Sequence, residues 1–219
     1  MITLYGFGRV HDKVIGETRD LRVHWALEET GLPYRVHGVD HTGGEHMGEA
    51  YGEKSCFNQI PAIDDDGFTL SESAAILLYL AEKSGRLIPQ DFEGRTRVTQ
   101  WCFVALATVE PPLAEIQMIH AFFGAGKNKE RLEFLNQWAG RVLGGLEKRL
   151  TDREWIACAD FTVADILLTC VLREIRKTDL LKSYPRLADY YDRALARPAW
   201  TLALTSYAQL LGKNPADIR

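Results

Sequence analysis

The chain has 219 residues, 46% of them hydrophobic, and a net charge of −4. That supports one large or two small globular domains. Neither the first 88 residues (8 Lys and Arg against 14 Asp and Glu) nor the rest (18 against 16) is basic enough to suggest a nucleic-acid partner.

Residues 2–6, ITLYG, read as a strand, and a polar stretch runs from Gly8 to Glu17. TRDLRVHWALEETGLP follows as a helix, with Thr18 as its cap, Asp20 in its first turn, and Gly31 and Pro33 as its stop. YRVHGVD alternates as a second strand, so the first forty residues form a βαβ unit with parallel strands. Residues 44–56 are ambiguous and are read as an irregular helix. PAIDDDGFTL is two short runs around Asp66-Gly67, a hairpin signal, with the Asp64–Asp66 run read as a solvated turn. SESAAILLYLAEK, from Ser71 to Lys83, is a helix capped by Ser71.

GRLIPQDFEG, residues 85–94, has two glycines and a proline and is expected to be a linker. Everything beyond it reads helical. RTRVTQWCFVALATVE ends at Pro111-Pro112 and resumes, kinked, to Phe123. KERLEFLNQWAGRVLGGLEKRL is amphipathic but weakened by Gly144-Gly145. FTVADILLTCVLREI carries a capping box, Thr162 with Asp165, and is apolar on nearly all faces, so it should be buried. YPRLADYYDRALARPAW is a further helix. The expected division is 1–84 as a mixed α/β domain, 85–94 as linker and 95–219 as an all-helical domain.

No run of about 18 apolar residues occurs, so no membrane-spanning helix is expected. The N-terminus lacks the pattern of a secretory signal. Cys56, Cys102, Cys158 and Cys170 show no CxxC spacing, which excludes a zinc ribbon or a vicinal dithiol. Together these point to a reducing, cytoplasmic setting with the cysteines as small buried hydrophobes. His37, His41 and His46 lie in a polar stretch without metal-ligand spacing, and no metal is expected.

Two features carry chemistry. Pro61 opens a strand, a position that removes a ladder donor and leaves Ile60 outside the pairing. Its peptide bond is either an ordinary trans bond or a cis bond that turns Ile60 toward an extended peptide. Ser71-Glu72-Ser73 opens a helix. These residues serve either as plain caps or as ligands, the free amides and Ser73 for a carboxylate and Glu72 for an ammonium. Twelve residues apart across a hairpin, the two features suggest a site for a short peptide with a free amino-acid end. On the helix opening the second domain, Arg97, Trp101 and Ala105 share a face, either facing a ligand or serving core and surface.

NQIPAIDDDGFTLSESAAILLYLAEK, FTVADI and YPRLADYYDRALARPAW together resemble the cytosolic glutathione S-transferase family, of bacterial type, over essentially the whole chain. The resemblance implies a thioredoxin-like βαβαββα domain followed by an all-helical one, glutathione as co-substrate, an electrophilic small molecule as second substrate, a role in detoxification, and a homodimer. It implies that the Ile60–Pro61 bond is cis. Ile60, with Gln59 and Pro61 beside it, would pair with the cysteinyl unit, and Glu72 and Ser73 would hold the γ-glutamyl head. TRDLRVHWALEE resembles the family's helix start, placing Thr18 as the hydroxyl that activates the thiol and Arg19 beside it; Tyr5 is the rival hydroxyl. Val10, His11, Arg97, Trp101 and Ala105 would line the second-substrate pocket. The stretch from Tyr5 to Thr18 is several residues longer than the family pattern, and no cysteine lies before Tyr51, which disfavours the family's cysteine-based branch. A non-catalytic protein that binds glutathione or apolar ligands is the alternative.

Overall fold

The structure, a computed structural model, describes residues 1–218. A four-stranded sheet in the order β2-β1-β3-β4 organises the N-terminal part. Central β1 (Ile2–Arg9) pairs in parallel with β2 (Tyr34–Asp40), Gly6 opposite Gly38, and antiparallel with β3 (Ala62–Asp65), Tyr5 opposite Ala62. β4 (Phe68–Ser71) closes the hairpin through Asp66 and Gly67, both at positive φ (51° and 96°), as a tight two-residue turn requires. Helix α1 (Asp20–Thr30) ends at Gly31, whose left-handed φ of 70° stops it. The one-turn helix α2 (Glu49–Gly52) follows a 3-10 turn at Glu45–Met47, so the segment is the irregular helix expected of it. α3 (Ser73–Ser84) packs on α1.

The chain divides into two compact units, one of residues 1–87 with the segment from Arg197 onward, the other of residues 88–196. This differs from the sequence expectation at the C-terminal end. Helix α9 (Pro198–Leu210) belongs with the sheet, not with the other helices. The cause is a set of long-range contacts on α1. Glu29 is buried and takes a two-pronged ion pair from Arg197 (2.5 and 2.8 Å), while Trp25 meets the Trp200 ring at 4.9 Å. Trp25 also donates to Glu29 at 3.2 Å.

The second unit is helical. α4 (Phe92–Phe103) is capped by Asp91, which accepts from the Gly94 amide at 2.7 Å. It runs without a break through a π-helical segment, Val104–Val109, into α5 (Glu110–Met118) and a second π segment, Ile119–Phe123. The sequence suggested an end at Pro111-Pro112. Instead the widened turn, with the Glu110 amide on the Ala105 carbonyl, accommodates prolines that lack a donor and crowd the preceding turn. The resulting helix, Phe92–Phe123, is long and apolar enough to cross a membrane by length and composition, contrary to expectation; 44% of its most apolar stretch is buried in the protein.

α6 (Lys129–Arg149) continues through Gly144-Gly145. α7 (Val163–Leu172) is buried at all ten positions, and its capping box is formed as the sequence indicates. Asp165 accepts from the Thr162 amide and hydroxyl, the Ile156 amide and the Tyr190 hydroxyl at 2.8–3.0 Å, so its buried carboxylate is fully engaged. α8 (Pro185–Leu195) starts on its proline.

Two further expectations are corrected. Asp65 is not in a solvated turn: it is buried, bound by Lys83 and by the Tyr79 hydroxyl at 2.6 Å. Cys102 and Cys170 are buried as expected, but Cys56 is exposed.

Candidate active site

The segment from Tyr51 to Pro61 is held in place by its own polar groups. The Tyr51 hydroxyl donates to the Gln59 carbonyl at 3.0 Å, and the Gln59 amide donates to the Ser55 hydroxyl at 3.1 Å. Asn58, at φ 55°, turns the chain between them. The Ile60–Pro61 bond is cis, and β3 begins only at Ala62, so Ile60 stands outside the strand ladder. Ile60 and Pro61 line a groove with Gln59, Arg19, Glu72 and Ser73.

Across the hairpin, α3 begins at Ser73, and Glu72 is its N-cap residue rather than Ser71, which closes β4. Glu72 sits at φ 72°, ψ 111° and makes no side-chain cap bond. A non-glycine residue in that region stores about 1–3 kcal/mol of backbone strain, and such residues gather at ligand sites. The conformation leaves an acid exposed at a helix N-terminus, where free amides favour an anion and the acid itself can hold an ammonium. Ser73 is only 4% exposed, and its hydroxyl accepts from the guanidinium of Arg22 at 3.3 Å. Arg22, 1% exposed, thus brings positive charge beneath the helix start.

Thr18 does not cap α1; the N-cap is Arg19, and the helix begins at Asp20. The Thr18 hydroxyl instead lies 2.7 Å from that of Tyr207 on α9. Tyr207 also accepts from the Gly16 amide at 3.0 Å, and Lys213 pairs with Asp12 at 2.9 Å. The long loop is therefore tied down by the C-terminal segment. Tyr5 points elsewhere. Its ring packs with His37 and Tyr51 and lies under the Lys54 ammonium at 4.8 Å. Gly6 faces α1, where an added Cβ would come within 3.0 Å of the Asp20 carboxylate.

Val10 and His11 line a cleft of about 410 Å³ between the long loop and the C-terminal residues Leu211 and Lys213. In the helical unit Arg97 is exposed and Trp101 half-buried, with the Arg149 guanidinium 5.1 Å from the Trp101 ring centre. Ala105 is buried, so the shared face expected of these three residues does not stay open along its length. Among the described residues, no three His, Cys, Asp or Glu converge as a metal site would require. The buried polar residues next to Thr18 and Ser73, Asp20, His24, Arg22 and Tyr207, carry no sequence signal of their placement: Asp20 is an ordinary first-turn acid by position, and nothing local ties Tyr207 to residue 18.

Residues 21–83 match the glutathione S-transferase N-terminal domain and residues 115–201 the glutathione S-transferase C-terminal domain. The chain is 33% identical over 191 residues to the Escherichia coli disulfide-bond oxidoreductase YfcG, spanning 81% of this chain and 86% of that one. A Burkholderia graminis glutathione transferase, solved with two glutathione molecules bound per subunit, superposes with a TM-score of 0.82 at 31% identity, over 94% of this chain and 88% of that one. A Pseudomonas putida glutathione transferase solved with glutathione disulfide gives 0.80 at 27% identity, over 92% and 90%. With both domains matched in order and relatives above 30% identity along most of their length, the chain belongs to the glutathione S-transferase family and is a glutathione transferase.

Proposed function

We propose that the groove beside Ile60 takes glutathione and that Thr18 activates its thiol for attack on an electrophilic small molecule. The strained Glu72 at the start of α3, beside a serine held by a buried arginine, carries this reading. Glu72 holds the γ-glutamyl ammonium, and the α3 amides with Ser73 hold its carboxylate. The backbone of Ile60 pairs with the cysteinyl unit, with Gln59 and Pro61 alongside, and Arg19 contributes positive field. Bound there, the tripeptide supplies the nucleophilic sulfur; the protein lowers the thiol pKa from about 8.5 with a hydroxyl and a helix N-terminus. Arg97 and Trp101 offer a cation and an aromatic face to the second substrate, and Val10 and His11 offer the rim of the long loop. The fold-level reading extends to a cytoplasmic homodimer acting in detoxification.

A second reaction class is favoured by the likeness to YfcG and to a structure holding glutathione disulfide. With no cysteine before Tyr51, the same activated thiol would serve attack on a disulfide. Retention on immobilised glutathione, followed by turnover against halides, enones, peroxides and a mixed disulfide, tests the proposal. Thr18→Ala should lower turnover more than glutathione affinity; unchanged turnover would remove Thr18 from the chemistry.

A further inference from the structure

Ser73 is the first residue of α3 and lines the groove, although only 4% of it is exposed. A hydroxyl has one hydrogen to give and lone pairs with which to accept. The guanidinium of Arg22 donates to the Ser73 oxygen at 3.3 Å. A guanidinium carries no acceptor, so the direction of this bond cannot reverse. Among the described residues nothing takes the Ser73 hydrogen. A serine fixed as acceptor on its inner side therefore has its hydrogen to offer to the groove.

Arg22 stands in the first turn of α1 and is 1% exposed. Its side chain stays charged at physiological pH, so a full positive charge is built in behind Ser73. Glu72, exposed, puts the opposite charge one residue earlier. The start of α3 thus has two poles: an acid at 72, and a hydroxyl backed by a cation at 73. An α-amino acid head carries the same two poles on one carbon. The free amides of the helix start add to the side that suits its carboxylate.

We infer that Arg22 is the positioning residue of the γ-glutamyl head. By holding the Ser73 oxygen as an acceptor it aims the hydroxyl hydrogen at the carboxylate, and its charge decides which pole of the head lies on α3 and which on Glu72. This rests on the reading that glutathione binds with its γ-glutamyl carboxylate at Ser73. Arg22 itself does not touch the tripeptide. Without the guanidinium the hydroxyl can turn its hydrogen inward, and the negative charge of Glu72 acts on the carboxylate unopposed from below. The consequence is selectivity for tripeptide thiols whose first residue keeps its α-carboxylate.

Two analogues separate the poles. Glutaryl-cysteinylglycine lacks the α-ammonium, and 4-aminobutyryl-cysteinylglycine lacks the α-carboxylate. Affinities of both, and of glutathione, for the intact enzyme are measured by calorimetry. The unaltered protein should prefer glutathione to the 4-aminobutyryl analogue by about tenfold, the size of a hydrogen bond to a charged group. Arg22→Met should cost glutathione and the glutaryl analogue about tenfold in affinity and the 4-aminobutyryl analogue less than about twofold. An equal loss on all three ligands, as a purely structural arginine would give, overturns the proposal, and so does no loss. Ser73→Ala should show the same pattern, and in the double variant the two losses should not add. Full addition means that Arg22 does not act through the serine, and also overturns the role. If Ser73→Ala removes the preference for glutathione while Arg22→Met keeps it, only the role of Arg22 falls. If the unaltered enzyme shows no preference, or Ser73→Ala keeps it, the placement of the γ-glutamyl carboxylate falls as well. Should Arg22→Met fail to fold, the side-chain nuclear magnetic resonance signal of Arg22 in the unaltered, isotope-labelled enzyme decides. It should move with glutathione and the glutaryl analogue and stay in place with the 4-aminobutyryl analogue; the same response to all three overturns the proposal.

Discussion

Glu72 shows what a single residue gives up for a site. Its φ of 72° suits glycine, yet a glutamate is there, facing the groove. Glu72→Gly should therefore raise stability by about 1 kcal/mol by relieving the strain. The same change removes the acid that would hold an ammonium and should weaken glutathione binding by about tenfold, or 1.4 kcal/mol. Urea unfolding and calorimetry read the two effects separately, and both moving in one direction would contradict the assignment. Asp20 and His24 give a second prediction. Burial pushes Asp20 up to about 6 from 3.8 and His24 down to about 4 from 6.5. Between those values the folded protein keeps a proton on Asp20 that the unfolded chain has lost, so this contribution falls as pH rises through 6. His24 does the reverse: the unfolded chain takes a proton that the fold excludes, and stability is lost as pH falls from 6.5 through 4. In the intact protein the two slopes oppose each other. Relative to it, Asp20→Asn should gain a stability that rises with pH over this window and His24→Leu one that falls, each by about 3 kcal/mol in total. Unfolding midpoints across pH 4–6.5 would show slopes of opposite sign.

At the scale of elements, β1 and β2 meet where two glycines face each other. A Cβ added to Gly8 would lie 2.7 Å from the Gly38 backbone, just where the β1–β2 register shifts and the long loop departs. Gly8→Ala should cost about 2 kcal/mol through overpacking against main chain that cannot rotate away. Gly126→Ala, with nothing within 4 Å of its added Cβ, is the control for the assay. The local signals in this chain were the legible ones. The Asp66-Gly67 turn, the βαβ order, the Thr162–Asp165 capping box and the all-round apolar α7 could each be read from neighbouring residues, and each is present. Glu72 and Ser73 were legible as a helix start, but not the φ that exposes the acid, which no residue type announces. The π segments around Pro111-Pro112 were not legible either, because their widening depends on what packs against the helix. Tyr207 lies 189 residues from Thr18, and Arg197 lies 168 from Glu29. Contacts at that separation leave no periodicity to find.

At the scale of the whole molecule, those two long-range pairs make the first unit from both ends of the chain. Every residue proposed to touch the tripeptide lies between Thr18 and Ser73, so a fragment that stops at Ala196 keeps all of them. It loses α9, and with it the partner of Glu29, the ring over Trp25, and the anchors of the long loop at Gly16, Thr18 and Asp12. Trp25, Trp200, Leu204 and Tyr207 are each at least 95% buried. Re-exposing or deleting such side chains costs about 1.5–3 kcal/mol apiece. Glu29 loses its ion pair and keeps only the Trp25 contact, which adds to this cost. The sum is comparable with the whole stability of a domain, about 5–15 kcal/mol. Truncation after Ala196 should therefore abolish retention on immobilised glutathione, although no proposed ligand is removed. Arg197→Met, which keeps the chain length and α9, should retain binding while losing about 3 kcal/mol in urea. A truncated chain that still binds would mean that the sheet and α1 are self-sufficient and that the C-terminal helix is dispensable to the site.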